Sequence, residues 1–262
     1  MVVSRLASAS GGSDATALPA PGALSAPAMV CPPAAQVELA PMLQAGTPRI
    51  HSDSREFLKC VALLSMLADH IGVIFLPNID VLRYIGRLAF PIYAYLVATG
   101  FVLTRNPDRY FLRLAGLALL SQIGFGLFHH DGQRLNVIFL FALAVAVLRC
   151  WQQGRAGKVA AILVAGLVFF DLEYGWQGLL TVIAFYLLRT HKILGSTLFM
   201  AAMVVPHFVY AGGTYHVLSV LALPVILAAP RRFPWRVPNW LWRGFYPLHW
   251  YPLWLLRNFL VM

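Results

Sequence analysis

Asp69 and His70 stand side by side inside the apolar stretch 57–76, FLKCVALLSMLADHIGVIFL. As a helix, a stretch of this length is about long enough to cross a bilayer. A carboxylate at mid-membrane costs about 2.5–3.5 kcal/mol on insertion scales. A chain keeps one there when a partner, a water-filled cavity or a chemical task offsets that cost. Histidine is the side chain that exchanges protons near neutral pH. Neighbouring helical residues point about 100° apart, so each member of the pair needs its own partner. Arg87 lies in GRLAFP at 86–91, in the next apolar stretch, and is the expected partner of Asp69. Gly86 allows close helix approach, and Pro91 frees a backbone carbonyl that needs a polar partner. The plainer reading is that Asp69 and Arg87 only lock two helices while His70 bonds a carbonyl.

Other constellations carry chemistry at lower specificity. In DLEYG at 171–175, Asp171 and Glu173 are spaced for an acid–base pair or a metal; an acidic exposed turn is the alternative. In FYPLH at 245–249, Pro247 suits a first helical turn and His249 follows within one turn. Its alternative is an interfacial aromatic belt with a satisfied histidine. Arg105, Arg109 and Arg113 form a stripe of four-residue spacing fit to receive phosphates. Lipid headgroups account for Arg105 and Arg109, and snorkelling for Arg83, which leaves Arg113 as the candidate. His129-His130-Asp131 lacks further ligands, and Cys31, Cys60 and Cys150 form no Cys-x-x-Cys pair. Neither a metal site nor a disulfide is expected.

These groups need a scaffold, and the composition names it. The 262 residues are 60% hydrophobic and 11% charged, with mean hydropathy +0.71. Soluble domains carry about 25% charged residues. The chain therefore reads as an all-α, polytopic transmembrane bundle in contact with the lipid bilayer. The net charge of +10 is dispersed and lacks a groove-binding motif, so no nucleic-acid partner is expected. Residues 1–48 read as a disordered Ala/Pro/Ser-rich tail without a signal-peptide core, and 49–262 as the membrane domain. Apolar runs place eight to nine spans, near 57–76, 84–103, 111–128, 135–151, 159–171, 175–190, 193–210, 214–229 and 245–262.

Alternate loops are basic: 104–110, 149–158, 189–192 and 230–244. The positive-inside rule puts these loops and the N-terminus in the cytoplasm and the C-terminus outside. Asp69, His70, Arg87, Asn136, Asp171 and Glu173 then belong to the outer half. His249 and the arginines of 231–243 belong to the cytoplasmic side. No internal repeat is visible, which disfavours a transporter built on repeats.

Taken together, LK at 58–59, MLADHIG at 66–72, GRLAFP at 86–91, GF at 100–101, Tyr110 to Arg113-Leu114, Leu135-Asn136, Tyr174-Gly175 and FYPLH at 245–249 resemble the TraX family, with TrbP-type conjugal transfer proteins among its relatives. The resemblance covers about 57–262. The family pattern Asp-Tyr-Gly is here Glu173-Tyr174-Gly175, which keeps a carboxylate. The resemblance implies a bacterial inner-membrane acetyltransferase, with acetyl-CoA as donor and the N-terminal amine of a conjugative pilin subunit as acceptor. It leaves open a glycan acceptor, or a non-enzymatic role in pilus assembly. Under that implication His70, Asp69 and His249 are the candidate catalytic residues, His70 facing the acceptor and His249 the donor. Arg113, Arg231, Arg232 and Arg243 would hold the donor's phosphates, and Arg87, Asn136, Glu173 and Tyr246 would position groups around the reaction.

Overall fold

The computed structural model describes residues 51–129, 134–168, 171–209 and 215–260. The expected tail at 1–48 lies outside these residues, as do His130 and Asp131. Among the described residues the regular structure is helical, apart from one isolated parallel bridge between Leu135 and Leu172. The helices are α1 (Ser52–Phe75), α2 (Asp80–Gly86), α3 (Ala89–Leu103), α4 (Pro107–His129), α5 (Val137–Gln152), α6 (Ala156–Val168), α7 (Gly175–Leu187), α8 (Lys192–Val209), α9 (Tyr215–Leu218), α10 (Ala222–Leu227) and α11 (Asn239–Leu260).

Among the described residues, three segments are long and apolar enough to cross a membrane: Ser52–Phe75, Asp80–Leu103 and Pro107–Phe128. The second joins α2 and α3 across a short irregularity at Arg87-Leu88. Val137–Gln152, Gly175–Leu187 and Lys192–Phe208 are apolar but shorter. Of the eight to nine spans expected, three thus reach full crossing length among the described residues, and three more are shorter apolar helices. The expected span 214–229 is broken: α9 passes through a 3₁₀ turn, Ser219–Leu221, into α10. Pro224 has no N–H to offer the carbonyl one turn back, which is where the helix changes pitch. The expected last span moves the other way. It begins at Asn239 rather than 245, and Pro247 and Pro252 lie inside it.

Contacts between helix ends sort the chain into two faces. On one face Arg149 donates to Asp108 at 3.1 and 3.2 Å. There too Ser54 Oγ donates to the Pro230 carbonyl at 2.8 Å, and the Val237 N–H to Glu56 Oε2 at 2.9 Å. This is the basic face, with three of the basic loops. On the other face the Leu135 N–H donates to the Asp171 carbonyl at 2.8 Å, and the Glu173 N–H to the Leu135 carbonyl at 3.0 Å. Between the faces, α3 is the central post. Ile92, Ala94 and Ala98 on it are fully enclosed, and it packs against α1, α5 and α7. Phe125, Leu140, Phe185 and Phe199 complete a dry core.

Candidate functional site

A single cavity of about 780 Å³ runs beside α3, lined from α1, α3, α4, α11 and the turn before α7. Helix α1 sets its polarity. Arg55, Lys59, Met66, Asp69 and His70 all line it, at helical spacings that keep them on one stripe. At 1.5 Å rise per residue, Arg55 and Asp69 stand about 20 Å apart along the axis. Arg113 near the start of α4 and Arg243 near the start of α11 join Arg55 and Lys59 at the basic end. Asp69, His70, Glu173 and Tyr174 line the far end. Phe90, Leu96, Val97, Leu117 and Phe141 give apolar walls. One cavity thus joins a cationic mouth to a cluster of titratable groups.

At the far end, Arg87 Nη2 donates to both oxygens of Asp69, at 2.6 and 2.8 Å. The side chains are 11% and 19% exposed. Arg87 Nε also donates to the Arg83 carbonyl at 3.3 Å. Gly86 makes this possible, because a Cβ there would land on the Asp69 side chain. Asp69 therefore serves Arg87 and not His70, as the helix geometry requires. His70 Nδ1 lies 2.8 Å from the Met66 carbonyl. A carbonyl only accepts, so Nδ1 carries the proton and Nε2 is the basic nitrogen.

Glu173 reaches the same cavity from a tight turn. Tyr174 has a left-handed backbone, φ 65°, followed by Gly175 at φ 43°. A bulky residue in that region signals local strain. The Tyr174 ring stacks on Phe90 at 3.9 Å and 8°, which holds the turn. Glu173 Oε2 accepts from the Val137 N–H at 3.0 Å, at the N-terminus of α5. Burial pushes the Glu173 carboxyl up to about 7; this hydrogen bond and the guanidinium groups of Arg134 and Arg87 oppose the shift. The acid form thus prevails below about pH 7 and the base form above it. Where Glu173 accepts a proton during turnover, the rate rises through that window. A pH–rate profile of Glu173→Gln is expected to lose the limb near pH 7; an unchanged profile would remove Glu173 from proton transfer. Asp171, its partner in the sequence-based reading, is exposed and contributes only its backbone.

The remaining expected residues separate into those inside and outside the cavity. Arg113 and Arg243 line it; Arg231 and Arg232 are exposed and do not. Tyr246 lines it, and its hydroxyl has no hydrogen-bond partner, as is also true of Tyr93. Asn136 is fully buried and outside the lining. It caps α5 by accepting from the Ile138 N–H at 3.0 Å, and donates to the Ala118 carbonyl at 2.9 Å and Gln122 at 2.8 Å. Its work is to fix the loop that Glu173 leans on.

His249 is the clear correction. The sequence-based reading sets it at the opposite face from His70, at the donor's entrance. Because α11 begins at Asn239, His249 lies several turns in, and its ring is 4.9 Å from that of His70. Its Nδ1 donates to the carbonyls of Tyr246 at 2.6 Å and Phe245 at 3.0 Å. It lines a second, apolar cavity of about 680 Å³ between α1 and α11. Trp250, beside both rings at 4.5 and 4.6 Å, closes the wall between the cavities.

Sequence reasoning missed Arg55, Tyr93 and Trp242 in the cavity lining, and quoted Lys59 and Tyr174 only as motif residues without a role. The stripe from Arg55 to His70 was a readable signal; the aromatic pair of Tyr93 and Trp242, stacked at 5.0 Å, joins distant segments and had none. Among the described residues no three His, Cys, Asp or Glu side chains converge as metal ligands.

Comparison with known proteins gives a family. The model of the TraX protein family matches residues 54–257. A Protein TraX of Escherichia coli is 29% identical over 210 residues, covering 74% of this chain and 84% of that protein. A Protein TraX of strain K12 is 34% identical over 133 residues, 48% of this chain and 52% of that protein. A probable fimbrial assembly protein, FimC of serogroup H1, from Dichelobacter nodosus is 29% identical over 134 residues, 45% of this chain and 55% of that protein. No solved structure matches.

Proposed function

The chain belongs to the TraX family, and from that premise we propose that it is a bacterial inner-membrane acetyltransferase acting on the N-terminal amine of a conjugative pilin, with acetyl-CoA as donor. The observation that carries this reading is the cavity that joins a cationic mouth to His70 and Glu173. Lys59, Arg113 and Arg243 at the mouth suit the donor's phosphates. The apolar walls suit its thin acyl-bearing arm. The fimbrial name of one relative agrees with a pilin partner. By the positive-inside rule, the basic face and the N-terminus are cytoplasmic, where acetyl-CoA is made.

The chemistry follows from the far end. A terminal ammonium has a pKa of about 7.7–8.0, so a mild base frees it. His70 Nε2 takes the proton, and the amine lone pair forms a bond to the thioester carbonyl carbon. The carbonyl oxygen gains charge, and the hydroxyls of Tyr246 and Tyr93 are donors within the same cavity. The C–S bond then breaks as the thiolate takes up the proton held on His70, and the nitrogen gives its surplus proton to the ionised Glu173 carboxylate, which lines the same cavity and releases it to water. With Asp69 balanced by Arg87, an ionised Glu173 leaves one net negative charge to draw the ammonium in.

Intact-mass analysis of pilin co-expressed with this protein tests the reading. One acetyl increment is expected with the wild-type chain and none without it. Unmodified pilin in both cases would remove the proposed acceptor, and acetyl on a glycan instead would favour the broader acyltransferase reading.

A further inference from the structure

Glu173 leans on the first turn of α5, and a side chain of another helix holds that turn in place. Gln122, on α4, makes three hydrogen bonds to the loop before α5. Its Nε2 donates to the Arg134 carbonyl at 2.7 Å. Its Oε1 accepts from the Asn136 N–H at 3.0 Å and from Asn136 Nδ2 at 2.8 Å. Asn136 Nδ2 also reaches the Ala118 carbonyl, one turn earlier on α4, at 2.9 Å. Asn136 is fully enclosed, so water does not stand in for these partners. With its amide group held on α4, Asn136 Oδ1 accepts from the Ile138 N–H at 3.0 Å. The Val137 N–H belongs to the first helical turn and has no acceptor within its own helix. It donates to Glu173 Oε2 at 3.0 Å. Backbone bonds fix the other side of the loop, where Leu135 pairs with Asp171 at 2.8 Å and with Glu173 at 3.0 Å. Direct hydrogen bonds thus run from Gln122 to Asn136 and on into the turn under Glu173, while Gln122 itself stands outside the cavity lining.

We propose that Gln122 is a positioning residue for Glu173: acting through Asn136, it aims the Val137 N–H at the carboxylate that lines the cavity. A hydrogen bond donated to an acid favours its charged form. Loosening this one therefore moves the Glu173 midpoint up from about 7. Other groups act on Glu173 as well: Arg134 before α5, Arg87 at the α2–α3 junction, Asp69 on α1, and the hydroxyls of Tyr174 and of Tyr246 on α11. The two arginines favour the ionised form and Asp69 opposes it. The consequence for turnover rests on the function proposed above; the placement of the carboxylate does not.

The test uses the full chain in neutral detergent. Infrared difference spectra against pH follow the Glu173 carboxyl, with Glu173→Gln as the blank. Val137→Pro sets the scale. Val137 is the first helical residue and Asn136 before it is extended, at φ −65° and ψ 161°, so a proline fits there and deletes only the N–H. It is expected to raise the Glu173 midpoint by about one pH unit. Gln122→Met keeps the length of the side chain, removes all three bonds and should move the midpoint the same way. Gln122→Asn holds the same groups one carbon further back and should give part of that shift, which covers a failure of the first variant to fold. With acetyl-CoA and pilin added, acetylation by the Gln122 variants should fall near neutral pH and recover at higher pH, its limb displaced as far as the infrared midpoint. A midpoint unmoved in Val137→Pro, or in both Gln122 variants, would overturn the proposal, as would acetylation lowered equally at every pH. A displaced midpoint with wild-type pilin left unmodified would keep Gln122 as the residue that positions Glu173 and remove the proposed reaction. Acetylated wild-type pilin with an unmoved midpoint would do the reverse.

Discussion

His70→Ala is expected to leave co-expressed pilin at its unmodified mass, a rate loss of about 10²–10⁴, while the variant still inserts. The argument is geometric. His70 lines the cavity that also holds Glu173 and the two tyrosine hydroxyls. Its Nδ1 is held by the Met66 carbonyl, so its tautomer is set and Nε2 is basic. His249 offers the contrast. Its ring packs on His70 and Trp250 but lines the other cavity. We assign it a positioning role: an aromatic ring that holds His70 from behind. His249→Phe preserves a ring there and should keep most of the acetylation, with the pH profile unmoved, whereas His249→Ala should lower it. Full acetylation with His70→Ala would remove His70 as the base. A loss with His249→Phe equal to that of His70→Ala would return His249 to the chemistry.

These two histidines also show what the sequence made legible. Helical class and the pairing of Asp69 with Arg87 followed from local rules: apolar runs, the angle between adjacent helical residues, and the small Gly86 at the crossing. The place of His249 did not follow, because Pro247 resembled a helix start. Prolines are tolerated inside apolar bundles, where neighbouring groups satisfy freed carbonyls, and here the helix continues through two of them. Glu173 was legible as an acid and not as a cavity wall. Its burial depends on the left-handed Tyr174 and on the ring of Phe90 from another helix. The arginines of 231–243 were read as one cluster by proximity in sequence. Only Arg243 lines the cavity, since the strap before α11 turns Arg231 and Arg232 outward.

Breaking the Asp69–Arg87 pair is the second large effect expected. Arg87→Ala leaves a largely buried carboxylate without its guanidinium, and losses of about 3–5 kcal/mol are usual when one partner of a buried pair is removed. The Asp69 side chain is only 19% exposed, so water replaces little of what Arg87 supplied. Two unbalanced carboxylates, Asp69 and Glu173, would then line one end of the cavity. Thermal unfolding in detergent should show a much lower midpoint, and acetylation should fall with it. Asp69→Asn is the milder change, because Arg87 can still donate to an amide oxygen and to the Arg83 carbonyl. Gly86→Ala should mimic Arg87→Ala in part without touching a charge, since its methyl group displaces Asp69 from Arg87. Asp69→Asn combined with Arg87→Gln removes both charges and should recover stability relative to Arg87→Ala. That recovery is the mark of a coupled pair. Should the double variant remain as inactive as Arg87→Ala while melting like wild type, the pair serves the reaction as well as the fold. Should stability and acetylation recover together, the pair only holds α1 against the α2–α3 junction and carries His70 to its place. Strictly additive losses would show that the two residues act apart.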